Sequence, residues 1–112
     1  MSSIQRVLTL AVVVAALAVP SATAATAEAA YIWSNSGGAY IRAQPSTYSM
    51  SYGYFRNGTS VRLYCYVNAQ WAYGNHWTNR WFRTNVPSYR YGSPTAYIHA
   101  SLVGAQYWTP RC

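Results

Sequence analysis

The chain is 112 residues long, with eight arginines, no lysine, no aspartate and one glutamate, a formal net charge of +7. That length is one domain's worth, and a single acid, Glu28, excludes paired-carboxylate catalysis and an acid-supported triad. What the composition offers instead is aromatic surface, with twelve Tyr and five Trp in a small protein.

The N-terminus reads as an export signal over residues 1–24. Arg6 supplies a positive start, residues 7–19 are apolar except for Thr9, Pro20 breaks the run, and Ala22-Thr23-Ala24 is a small-x-small cleavage site. An apolar run of about 13 residues is too short for a hydrocarbon core that needs about 20, so no membrane span is expected. Residues 25–32 read as a linker of small residues. The folded domain is then 33–112, in a secreted, extracellular protein. Both cysteines, Cys65 and Cys112, fall in this part. An even count in an oxidising compartment predicts a disulfide between them. Closing a loop of that length disfavours the unfolded chain by about 4 kcal/mol.

No window has the spacing of an amphipathic helix, and short β-branched and aromatic runs divided by Gly, Pro and Asn predict strands. The first strand is 39–43, stopped by Gln44-Pro45-Ser46-Thr47. The clearest is 60–67, where Val61, Leu63, Cys65 and Val67 share one face and Arg62, Tyr64 and Tyr66 the other. Asn57-Gly58 before it is a turn signal, and on local grounds a hairpin. The glycosylation sequon Asn57-Gly58-Thr59 is read as part of that turn. A long loop is expected over 68–79, a third strand over 80–84, a loop over 85–94, a fourth strand over 95–99 and at most a helical turn over 100–103. The tail, 104–112, is expected to return along the sheet to its disulfide. Val61, Leu63, Trp81, Phe82, Tyr97, Ile98 and Leu102 are the expected core. Four or five short strands suit an all-β, strongly bent small barrel, and closure would remove exposed edges.

The order of these pieces resembles the bacterial SH3-like domains, in their stand-alone secreted actinobacterial form. Tyr40-Ile41-Arg42-Ala43-Gln44-Pro45-Ser46-Thr47 is similar to the family's opening strand and turn. Asn57-Gly58-Thr59-Ser60-Val61 resembles the entry to its second strand, Arg80-Trp81-Phe82-Arg83 its third, and Ala96-Tyr97-Ile98-His99-Ala100-Ser101-Leu102-Val103 its closing element. Cys65 in the second strand and the terminal Pro110-Arg111-Cys112 fit the secreted versions. The chain departs from the pattern in its long 68–79 segment and in Ala96, where the family has Gly. The resemblance implies an SH3-like barrel of about five strands, puts Asn57-Gly58 at a diverging turn rather than a hairpin, and implies a ligand groove flanked by two loops.

Missing chemistry narrows the function. A disulfide consumes both thiols. His76 and His99 alone make no metal site, no phosphate-cradling glycine loop is present, and no cofactor or enzymatic activity is expected. The candidate ligand-binding residues are Tyr48 and Tyr52 in the first loop, Trp71, Tyr73 and Trp77 in the long one, and Arg80 and Arg90 nearby as partners for carboxylate or phosphate. The same rings could instead simply pack the ends of the barrel. The resemblance implies a cell-wall partner, peptidoglycan helped by an anionic wall polymer. The alternative is a secreted inhibitor or toxin-like protein acting on a protein partner. Nucleic acid is not expected, because the strands lack a stacking motif of the usual kind.

Overall fold

The computed structural model describes residues 29–112. The signal segment at 1–24 and residues 25–28 of the linker lie outside the described residues. No helix among the described residues is long and apolar enough to cross a membrane. Eight strands follow in order: β1 (Ala30–Ile32), β2 (Gly38–Arg42), β3 (Ser51–Arg56), β4 (Ser60–Val61), β5 (Leu63–Tyr73), β6 (Trp77–Thr84), β7 (Ala96–His99) and β8 (Val103–Gly104). Short 3-10 turns occupy Tyr89–Tyr91 and Ala100–Leu102.

The strands form two sheets, one of five in the order β3-β2-β7-β6-β5 and one of three in the order β4-β1-β8. Every named strand pair is antiparallel. The all-β class is therefore as expected, but the expected closed barrel is not formed. β3 and β5 end one sheet and β4 and β8 the other. The sheets are joined by shared chain instead: β4 passes into β5 across Arg62 alone, and the second 3-10 turn carries β7 into β8.

The core lies between them, and Ile32, Ile41, Val61, Leu63, Phe82 and Ile98 are all buried there, with Ala30, Ala39, Ala96 and Val103 filling between. Each such aliphatic or aromatic side chain removed from water contributes about 1.5–3 kcal/mol. Of the expected core, Val61, Leu63, Trp81, Phe82 and Ile98 are buried, whereas Tyr97 and Leu102 are only partly so. Ile32 belongs to it as well: residues 30–32 are not linker but the central strand of the smaller sheet, with Ala30 and Ile32 inward and Tyr31 outward.

Asn57-Gly58 is the diverging turn, not a hairpin. It leads from β3 in one sheet to β4 in the other, and Gly58 adopts φ +90°, a conformation that disfavours a Cβ. The Asn57 side chain accepts from Ser34 N–H at 2.8 Å and donates to the Ser34 carbonyl at 2.9 Å, so the sequon asparagine is a structural clamp.

The tail returns as expected. Tyr66 N–H donates to the Pro110 carbonyl at 3.0 Å, Cys112 N–H donates to the Tyr66 carbonyl at 2.9 Å, and Arg111 forms a parallel bridge with Tyr66. Cys65 and Cys112 are joined by a disulfide.

Candidate functional site

The largest departure from the sequence expectation falls on the candidate site itself. Residues 68–79 are not a loop. β5 runs on to Tyr73 and β6 starts at Trp77, so the segment is a hairpin closed by Gly74, Asn75 and His76. Alternation assigns its faces. Ala72, opposite Thr78, is buried, while Trp71, Tyr73 and Trp77 point out. Tyr73 stands directly across from Trp77, and Trp71 is Trp77's diagonal neighbour. The two indoles stack, with centroids 5.8 Å apart and planes 20° from parallel. Trp71 remains 54% exposed, Trp77 59% and Tyr73 74%.

A bulge seats the first loop beside this platform. Between the pairs Asn68–Arg80 and Ala72–Thr78 the register shifts, leaving extra residues in β5. Gln70 sits in that bulge. Its carbonyl accepts from Trp81 Nε1–H at 2.8 Å, which ties the bulge to the buried indole. Its side-chain oxygen accepts from Thr47 N–H at 2.7 Å and from the Thr47 hydroxyl at 3.0 Å. The loop carrying Tyr48 is thereby pinned to the residue preceding Trp71, and Tyr48 projects 90% exposed.

The tip of the hairpin is held from below. Asn75 Nδ2 donates to the carbonyls of Trp33 and Ser101 at 2.8 and 2.9 Å, its Oδ1 accepts from Asn35 N–H at 2.9 Å, and its own N–H donates to Ser101 Oγ at 3.0 Å. Ser101 Oγ lies 2.8 Å from His99 Nδ1, and His99 Nε2 lies 2.9 Å from the Thr78 carbonyl. A carbonyl can only accept, so Nε2 carries the proton and Nδ1 accepts from the serine hydroxyl. His99 is buried, edge-on to Trp81 at 4.9 Å. Burial lowers its pKa below the usual histidine value and outweighs the opposing hydrogen bond to Thr78, with the nearby His76 adding to the lowering. Gly74 passes so close to Ser101 Oγ, Leu102 and His99 that a Cβ there would collide with them.

The remaining candidates lie apart. Tyr52 is not in the first loop but on β3, where it meets Tyr91 at 5.0 Å, with Arg90 5.7 Å from the Tyr91 ring. Arg80 lies over the Tyr66 ring at 4.0 Å. The candidate residues therefore form three groups, not one groove. A cleft of about 270 Å³ takes in Tyr73 with Tyr40 and Tyr54, and one of about 500 Å³ takes in Arg80 with Asn68 and Gln106. A third, of about 680 Å³, is lined by Tyr64, Arg83, Pro87, Tyr89 and Pro94 and includes none of the candidates.

Sequence reasoning missed Tyr66, Arg111, Tyr40, Tyr54 and Tyr91 as members of these groups. The alternation of Tyr52, Tyr54 and Arg56 through β3 could have indicated the strand that carries Tyr54. Nothing local marks the approach of Arg111 to Tyr66 across 45 positions, which the disulfide brings about. Comparison with known proteins finds no match among family models, curated proteins or solved structures.

Proposed function

We propose that this chain is a secreted, non-catalytic binding module of the bacterial SH3-like type whose partner is cell-wall peptidoglycan. The observation that carries the reading is the stacked, exposed Trp71–Trp77 pair with Tyr73 alongside, on a hairpin whose tip is fixed by the Asn75 hydrogen bonds. Rigid rings offer large contact area at small entropic cost and stack on sugar and peptide backbones. Catalysis is not part of the reading, because residues 29–112 contain no acid side chain and both thiols are tied in the disulfide. Kinship with the SH3-like family is supported by the placement of its sequence pieces, each of which lies on a strand or on the turn next to one.

The test is co-sedimentation with isolated peptidoglycan at low salt. Trp77→Ala is expected to weaken retention about tenfold, the equivalent of 1.4 kcal/mol. A wild-type protein that stays in the supernatant defeats the reading. The second reading, docking on a protein partner, is favoured by the cleft between Tyr64 and Pro94, where Tyr89 stands fully exposed beside Pro87. Salt-resistant capture of a protein that Tyr89→Ala abolishes would favour it over the first.

A further inference from the structure

Residues 29–112 hold seven arginines and no acid side chain, so among the described residues no guanidinium has a carboxylate side chain for a partner. Two of the seven converge on one ring. The Arg80 guanidinium carbon is 4.0 Å from the Tyr66 centroid and that of Arg111 is 5.7 Å from it. The two cations are thus no farther apart than the sum of these distances, about one Debye length in 0.1 M salt, ~10 Å. They repel, yet the fold holds both in place. Arg80 is on β6, Tyr66 on the adjoining β5, and Arg111 lies between two backbone hydrogen bonds to Tyr66 and next to the disulfide. A bound anion would relieve that repulsion. A guanidinium stacked on a ring keeps its N–H edge free, and that planar fork matches phosphate.

Arg80 also borders the cleft of about 500 Å³, whose other walls include the amides of Asn68, Asn79 and Gln106 and the hydroxyl of Thr78. These groups suit hydroxyl-rich ligands, and the volume suits a small-molecule-sized unit. Of the residues lining the cleft only His76 carries a ring, and Arg80 covers the nearby Tyr66 ring, so a nucleobase finds little to stack on there.

We infer that Arg80, Arg111 and this cleft form a subsite for the phosphodiester of an anionic polyol polymer. The inference rests on the wall-binding reading for the source of the polymer, but uses side chains distinct from the exposed rings of Trp71, Tyr73 and Trp77. The subsite would add a salt-dependent attachment to the salt-tolerant one made by the rings.

The experiment is a titration of the purified, disulfide-bonded protein with poly(glycerol phosphate), followed by tryptophan fluorescence. Arg80→Gln and Arg111→Gln are each expected to weaken binding about tenfold, the scale of one charge-assisted contact, and to reduce the salt slope by about one. Arg56→Gln removes the same charge from β3, at the opposite edge of the five-stranded sheet, and should leave affinity within about twofold. Near-UV circular dichroism establishes that each variant is folded. Equal losses in all three variants, or none in any, overturn the subsite. Duplex DNA binding as tightly as the polymer at matched phosphate, with the same arginine dependence, overturns the polymer assignment in favour of nucleic acid. Walls stripped of phosphate polymers separate this inference from the function proposed above. Retention of the Arg80→Gln, Arg111→Gln double variant on stripped walls, with loss of polymer binding, supports the subsite. Failure of the wild type on stripped walls with arginine-dependent polymer binding intact also supports it, and removes the peptidoglycan reading alone.

Discussion

At the residue scale, His99 is the side chain on which acid acts most directly. It is buried and neutral, donating to the Thr78 carbonyl and accepting from Ser101. Its folded pKa lies below the ordinary value, chiefly through burial. The unfolded chain takes up the proton near pH 6.5, while the folded one resists it. The stability contributed by neutral His99 is therefore complete above about pH 6.5 and falls as pH drops from there toward the lowered folded value. The urea midpoint is expected to fall between pH 7.5 and pH 5. His99→Gln should start about 1–3 kcal/mol less stable and lose most of that slope. An unchanged slope in the His99 variant would show that protonation elsewhere governs acid sensitivity.

At the scale of elements, the β5–β6 hairpin separates what was legible from what was not. Extended chain over 60–67 was readable because Val61, Leu63 and Cys65 alternate with exposed residues, but the expected single strand divides at Arg62 into β4 and β5 of different sheets. Beyond it the alternation is broken by the Gln70 bulge and by Asn68, Ala69 and Ala72, residue types depleted in strands, so the rest of an 11-residue strand reads as loop. β1 was hidden for a different reason. Three residues are too few for a period, and only pairing with β4 and β8 makes them a strand. The candidate rings Trp71, Tyr73 and Trp77 were found by composition, but their common face became visible only through register. The tip tests the geometry. Gly74→Ala places a methyl against Ser101 and Leu102, which should lift the tip and separate the indoles. The expected signature is a weaker near-UV dichroism from the Trp71–Trp77 pair, with far-UV strand signal retained. An unaltered near-UV spectrum would mean that the tip is not held there.

For the molecule as a whole, the absence of acid side chains from residues 29–112 changes how its charges are accommodated. Four arginines lie over tyrosine rings: Arg42 on Tyr40, Arg80 and Arg111 on Tyr66, and Arg90 on Tyr91. Such contacts are worth about 0.5–1 kcal/mol at exposed sites and do not cancel the repulsion among like charges. Sodium chloride should therefore stabilise the fold by screening. Melting temperature is expected to rise by several degrees between about 0.01 and 0.3 M salt, since 1 kcal/mol corresponds to about 4–8 °C in a domain of this size. A melting temperature that falls with salt would indicate attractive ion pairs and contradict this account.

The C-terminal segment has a consequence for handling under reducing conditions. The backbone of Tyr66 faces outward on the terminal strand of the larger sheet and is occupied by Pro110 and Cys112. The sulfur bridge acts there as a latch on an aggregation-prone seam. Under reducing conditions the latch would be open and that seam free to recruit a second chain, so the disulfide would both lock the fold and keep the molecules apart.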